Sequence, residues 1–112
     1  MKADPVFVDA LERFLAGAQA MIDEQFVEFE PQRQPRLRVD PGGRRYLRIV
    51  LTRGDGGNRS AWAFIDTTNG DLLRPETWKG PAKTARGNIF DAAGGLAHVS
   101  WTGPHYLDAI PT

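Results

Sequence analysis

Phe7, Leu11, Phe14, Leu15, Ala18, Met21, Ile22 and Phe26 recur at spacings of three and four residues, with Asp9, Glu12, Arg13 and Glu24 on the rest of the wheel. Such a stripe is what a helix needs to bury one side against a core. Asp4-Pro5 starts it well, because an aspartate can accept from a free amide of the first turn and proline costs nothing at the first helical position. The spacing predicts a helix from about Pro5 to Glu24. From Phe26 to Phe29 the apolar positions crowd too closely for one helical face, and Pro31 and Pro35 break any continuation, so this stretch reads as a connection or a short edge strand.

The period then changes to two. Arg36-Leu37-Arg38-Val39 and Arg45 to Leu51 alternate polar and apolar residues on either side of Asp40-Pro41-Gly42-Gly43-Arg44, the pattern of a hairpin. A two-residue Pro41-Gly42 loop would set Leu37 and Val39 on the opposite face from Leu47 and Ile49. A three-residue Pro41-Gly42-Gly43 loop instead pairs Leu37 with Leu47 and Arg36 with Arg48. Leu37, Val39, Leu47, Ile49 and Leu51 then offer one apolar face to the helix, and Arg36, Arg38, Tyr46 and Arg48 share the other. After a Gly54–Gly57 turn, Ala61 to Asp66 is apolar on both faces, as a central strand is. Thr67-Thr68-Asn69-Gly70 turns the chain into a strand at Asp71-Leu72-Leu73, which Pro75 is expected to end. A basic helical turn starting at Pro81 and capped by Gly87 follows, and the Gly-rich tail with Trp101, Tyr106 and Ile110 is the candidate cover for the second face of the Trp62 strand. The fold class is therefore α+β: one N-terminal amphipathic helix packed on a four- to five-stranded antiparallel meander with an irregular C-terminal cover, all within a single domain over residues 1–112.

Composition narrows the chemistry. With no cysteine among 112 residues there is no disulfide, no thiolate zinc site and no cysteine nucleophile. No apolar run approaches the length of a membrane span, and the amphipathic start is unlike a signal peptide, which makes the cytoplasm the expected compartment and a membrane an unexpected partner. The formal net charge is zero, yet it is divided unevenly along the chain. Residues 1–30 hold two cations against seven carboxylates, and residues 31–59 hold eight arginines against Asp40 and Asp55.

Residues 64–89 carry one specific pattern. Phe64-Ile65-Asp66, Gly70-Asp71-Leu72 and then Arg74-Pro75-Glu76-Thr77-Trp78-Lys79-Gly80-Pro81-Ala82-Lys83-Thr84-Ala85-Arg86-Gly87-Asn88-Ile89 resemble a motif of small uncharacterised proteins of bacteriophages and other viruses. The resemblance implies a viral or mobile-element origin and no particular reaction; the helix and the arginine-rich hairpin lie outside it. Read physically, Lys79, Lys83 and Arg86 fall at spacings of four and three beside Trp78, and cations next to an aromatic ring can hold a phosphate backbone and stack a base. The plainer alternative makes Trp78 a core anchor flanked by solvated lysines.

The arginine face has the same double reading. Arg36, Arg38 and Arg48 around Tyr46 suit single-stranded nucleic acid, whereas pairing with the acidic stretch Asp23 to Glu30 would neutralise them internally. His98 and His105 match no zinc spacing, and packing or loop positions suit them better. Asp66 and Asp71 could meet as paired carboxylates, although turn amides are their simpler partners. Arg53-Gly54-Asp55 and Asn58-Arg59-Ser60 lose meaning in a cytosolic protein, and Gly54 to Gly57 lacks the Lys-Ser/Thr end of a phosphate-binding loop. Three roles of different kinds follow: a nucleic-acid-binding accessory protein acting through Arg36, Arg38, Tyr46, Arg48, Trp78, Lys79, Lys83 and Arg86; a module that binds a host or viral protein, or itself, through apolar residues of the tail near Trp101 and Tyr106; and, least favoured, an enzyme. No catalytic residue, metal or cofactor is expected.

Overall fold

A helix with one apolar side needs a sheet to lie on, and the chain supplies it immediately. The computed structural model describes residues 4–30, 33–40, 44–53 and 58–105. Helix α1 spans Pro5–Gln25; Asp4 caps it by accepting from the Val6 amide at 3.0 Å, and Pro5 occupies the first turn. Phe7, Leu11, Phe14, Ala18 and Ile22 are its buried residues, as the spacing predicts. Strands β1 (Arg36–Asp40), β2 (Tyr46–Thr52), β3 (Arg59–Asp66), β4 (Asp71–Thr77) and β5 (Gly80–Asn88) form one antiparallel sheet in chain order. A two-stranded ribbon, β6 (Val99–Ser100) and β7 (Gly103–Pro104), completes an α+β fold.

The first hairpin differs from its expected register. Leu37 lies opposite Leu51 and Asp40 opposite Arg48, so the pairing of Leu37 with Leu47 and of Arg36 with Arg48 is corrected by a slide of four residues. An even slide leaves every side chain on its own face, and Leu47, Ile49 and Leu51 still meet the helix, with Leu37 and Val39 packed against them. Arg45 is fixed on the β3 side of the strand. Its carbonyl accepts from the Thr67 amide at 2.7 Å and its guanidinium reaches Asp66, which ties Arg45 to the turn after β3. The expected Pro41-Gly42-Gly43 turn lies outside the described residues.

A β-bulge on β3 sorts its apolar residues. Ile49 faces Ala63 while Val50 faces Ala61, leaving Trp62 as the extra residue. Neighbours at a bulge no longer alternate; Trp62, Ala63 and Ile65 all join the helix-side core, where the Trp62 and Phe14 rings stand 6.1 Å apart. On the opposite face Val50, Phe64 and Leu73 are buried and lie outside that cluster.

What covers this second face corrects two expectations. Pro75 does not end β4, and the stretch from Pro81 is strand β5, not a basic helical turn; Gly87 lies inside that strand, not at a helix C-cap. The β4–β5 pairing is interrupted by three irregularities, two of them flanking Pro75, which lies opposite Pro81. The hairpin curls so that its Trp78-Lys79 tip returns over β2, where the Trp78 carbonyl accepts from Arg48 Nε at 2.8 Å. Through residue 105 the tail is thus not the cover of the outer face. It packs on the helix side instead: Val99 enters the core, Trp101 meets the Phe26 ring edge-on at 5.4 Å, and the Trp101 carbonyl accepts from Trp62 Nε1 at 3.0 Å. Gly103 passes so close to Trp62 that a Cβ there would lie 2.7 Å from the Trp62 carbonyl oxygen, and its φ of +114° also favours glycine. Tyr106 and Ile110 lie outside the described residues.

Candidate functional site

Rows of side chains cross the outer face of the sheet where the strands register. Arg36, Thr52 and Arg59 form one row on β1, β2 and β3; Arg38, Val50 and Ala61 form the next; Asp40, Arg48, Phe64 and Leu73 form the third. Three rows therefore place four arginines on one surface, around a single carboxylate.

Arg48 organises this surface. Its Nη1 donates to Asp40 Oδ2 at 2.5 Å, its Nε donates to the Trp78 carbonyl, and its guanidinium lies 4.5 Å from the Trp78 ring centre and 5.8 Å from that of Phe64. Arg59 approaches the same tryptophan at 5.5 Å and the same Asp40 at 3.9 Å. Two cations thus contact the Trp78 ring while 40% of its surface remains exposed. It is neither the buried anchor of the plainer reading nor a loose side chain; cations over an indole face are held by its quadrupole. Lys79 is exposed beside it at the tip, and its amide donates to Thr77 Oγ1.

Internal neutralisation is partial and comes from an unexpected source. Arg36 meets the acidic helix at 4.0 Å from Asp23, with both side chains about half exposed, a pair of little energetic weight. Arg48 and Arg59 use Asp40 of β1. Arg38 is exposed and has no ion-pair partner among the described residues. Tyr46, half-buried, lies under the Arg45 guanidinium at 5.1 Å.

Lys83 is exposed on β5. Arg86 stands apart from the other candidates: it is buried at 7% exposure, donating to the carbonyls of Thr84 and His105. Burial, and then the neighbouring Arg74, lower its pKa. Arg74 donates to the Pro104 carbonyl, so this pair fastens the tail to the sheet. The sequence reading omitted Arg59 and Asp40. Arg59 reaches the outer face only because the Trp62 bulge reverses the alternation upstream of it, which no periodicity shows.

Other titratable groups are occupied structurally. Burial pushes the Asp66 carboxyl up, but hydrogen bonds from the Thr68 hydroxyl and amide and the Arg45 guanidinium outweigh it and hold the pKa below its ordinary value. Asp71 instead accepts from Asn88 Nδ2 at 3.0 Å, so the two carboxylates do not share a site. The His98 and His105 rings are 6.5 Å apart, and among the described residues no group of three or more His, Asp or Glu side chains is placed to hold a metal ion. A cleft of about 430 Å³ lies between Phe7, Arg44, Thr67 and Phe90, but the Thr67 hydroxyl is already donated to the Arg45 carbonyl. No helix among the described residues is long and apolar enough to cross a membrane.

Comparison with known proteins adds one relation. Residues 2–107 match the model of a family described as a family of unknown function, DUF7717. No curated protein and no solved structure matches the chain.

Proposed function

Since the chain belongs to the DUF7717 family, whose function is unknown, its role has to be read from its own surface, and we propose that it is a non-enzymatic module that binds nucleic acid across the outer sheet face. The observation that carries this reading is the exposed Trp78 in contact with the Arg48 and Arg59 guanidinium groups, with Arg36 and Arg38 in the adjoining rows of the sheet and Lys79 next to it at the tip. Guanidinium groups and an ammonium meet phosphates, and a fixed indole offers a stacking surface that accepts any base. Arg86, buried under the tail, has no part in contacting the ligand, whereas exposed Lys83 on β5 and half-buried Tyr46 on β2 would extend the surface. The likeness of residues 64–89 to bacteriophage proteins fits an accessory protein of a phage or mobile element acting in the cytoplasm.

The competing module that binds protein through Trp101 and Tyr106 has less support, because Trp101 is half-buried against Phe26. Fluorescence anisotropy of labelled oligonucleotides, titrated at a series of salt concentrations, tests the proposal. About four phosphate contacts on a single strand would give a slope of log K against log salt of roughly −3. Absence of binding at low salt, or binding indifferent to salt, would sink it.

A further inference from the structure

At the end of the sheet where β1 begins and β2 finishes, Phe26, Phe29, Arg33, Pro35 and Arg53 enclose a cleft of about 340 Å³. Its walls are set before any ligand arrives. Gln34 Nε2 donates to the carbonyls of Phe26 and Phe29, the Phe29 amide donates to the Phe26 carbonyl at 3.0 Å, and Phe26 is wedged against Trp101. The Phe29 ring stands edge-on to Phe26 at 5.1 Å and stays 45% exposed, with the Arg33 guanidinium 5.8 Å from its centre. Among the described residues no carboxylate lines the cleft, Glu28 and Glu30 adjoining Phe29 in sequence only.

The cleft repeats, in smaller form, the chemistry around Trp78: an exposed ring with guanidinium groups at its side. The two are also joined. Arg53 follows Thr52, the central residue of the row that runs from Arg36 to Arg59, and Arg59 in turn touches Trp78. Neighbouring strands lie about 4.8 Å apart, so Arg36 and Arg59 are separated by roughly 10 Å of backbone spacing, within reach of successive phosphates. Cations thus line the way from one aromatic platform to the other.

Resting on the reading of the outer face as a nucleic-acid surface, we infer that the ligand is single-stranded and that its path continues past Arg36 into the Phe26–Phe29 cleft, which takes one unpaired base against Phe29 while Arg33 and Arg53 hold the adjoining phosphates. A volume at the lower end of small-ligand sites suits one base with its sugar. A duplex keeps its bases paired and stacked inside, where a pocket beyond the sheet edge cannot reach them.

Anisotropy with a labelled twelve-nucleotide deoxythymidine strand, a four-nucleotide strand and a twelve-base-pair duplex separates the possibilities. Phe29→Ala and Arg53→Gln alter exposed side chains outside the sheet and helix, so the fold tolerates them, and Phe29→Tyr keeps the ring. The twelve-nucleotide strand should bind Phe29→Ala and Arg53→Gln at least fivefold more weakly than the original protein, with Phe29→Tyr restored to within twofold. The duplex should bind at least tenfold more weakly than the single strand. If Trp78→Ala weakens the long strand while Phe29→Ala and Arg53→Gln do not, the path does not enter the cleft and the face alone binds. Equal affinity for duplex and single strand likewise overturns the inference. If no oligonucleotide binds the original protein, the reading of the outer face falls and this one with it.

Discussion

Arg48 joins three parts of the molecule: the β1 edge through Asp40, the hairpin tip through the Trp78 carbonyl, and the buried Phe64 through its flat cation. A hydrogen bond from a charged donor to a half-buried acceptor contributes about 1.5–3 kcal/mol, and exposed cations add less. Arg48→Ala should therefore lower stability by about 2 kcal/mol in urea unfolding and make Trp78 fluorescence more accessible to a soluble quencher; an unchanged midpoint would remove Arg48 from this role. Asp66 gives the acid response. Its folded pKa lies below the ordinary 3.8, so the stabilisation is present above that value and is lost as pH falls through the folded pKa. Asp66→Asn should be destabilised near neutrality by about 1–3 kcal/mol, and its gap from the original protein should narrow as the pH is lowered below about 4. A gap that stays constant with pH would contradict the assignment.

At the scale of elements, the helix meets the sheet through a polar clamp as well as through its apolar stripe. Gln19 Oε1 accepts from the Leu37 amide at 2.9 Å and its Nε2 donates to the Pro35 carbonyl at 3.0 Å, so an amide side chain occupies the place of a neighbouring strand along the open edge of β1. Open edges invite pairing with other chains. Gln19→Ala should speed hydrogen exchange of the Leu37 amide by tenfold or more and cost about 1–2 kcal/mol of stability. Unaltered exchange would show that β1 holds its edge without the clamp. The motif over residues 64–89 also takes on meaning here. Its Asn88 ties two turns together by donating to the Asn69 carbonyl and Asp71, its Gly70 has a φ of +83° against the Phe90 ring, and its Arg86 fastens the tail. These residues build the curled β4–β5 hairpin, whose Trp78-Lys79 tip belongs to the candidate surface.

For the whole molecule, zero net charge conceals two faces of opposite character. The acidic helix lies on one side of the sheet and the arginine rows on the other, with Asp40 the only carboxylate within those rows. A fixed carboxylate among arginines occupies a place a phosphate would take. Asp40→Asn should strengthen oligonucleotide binding severalfold at low salt and steepen its salt dependence, both read by anisotropy. Weaker binding would mean that Asp40 serves chiefly to hold Arg48 in place.

Much of this architecture was legible from side-chain periodicity. The helix and its buried face, the antiparallel order of the strands and the separation of Leu37, Val39, Leu47, Ile49 and Leu51 from Arg36, Arg38 and Arg48 follow from local spacing, because burial requires each element to show one apolar side. Tertiary structure alone decided the rest. The first hairpin settled four residues from its expected register, the Trp62 bulge brought Arg59 to the outer face, and the curl of β4–β5 set Trp78 against Arg48 and Arg59 while Arg86 went beneath the tail. Each of these depends on contacts between residues distant along the chain, where a one-residue change in alternation or a choice between partners reassigns a side chain from one face to the other, and local pattern carries no information about either.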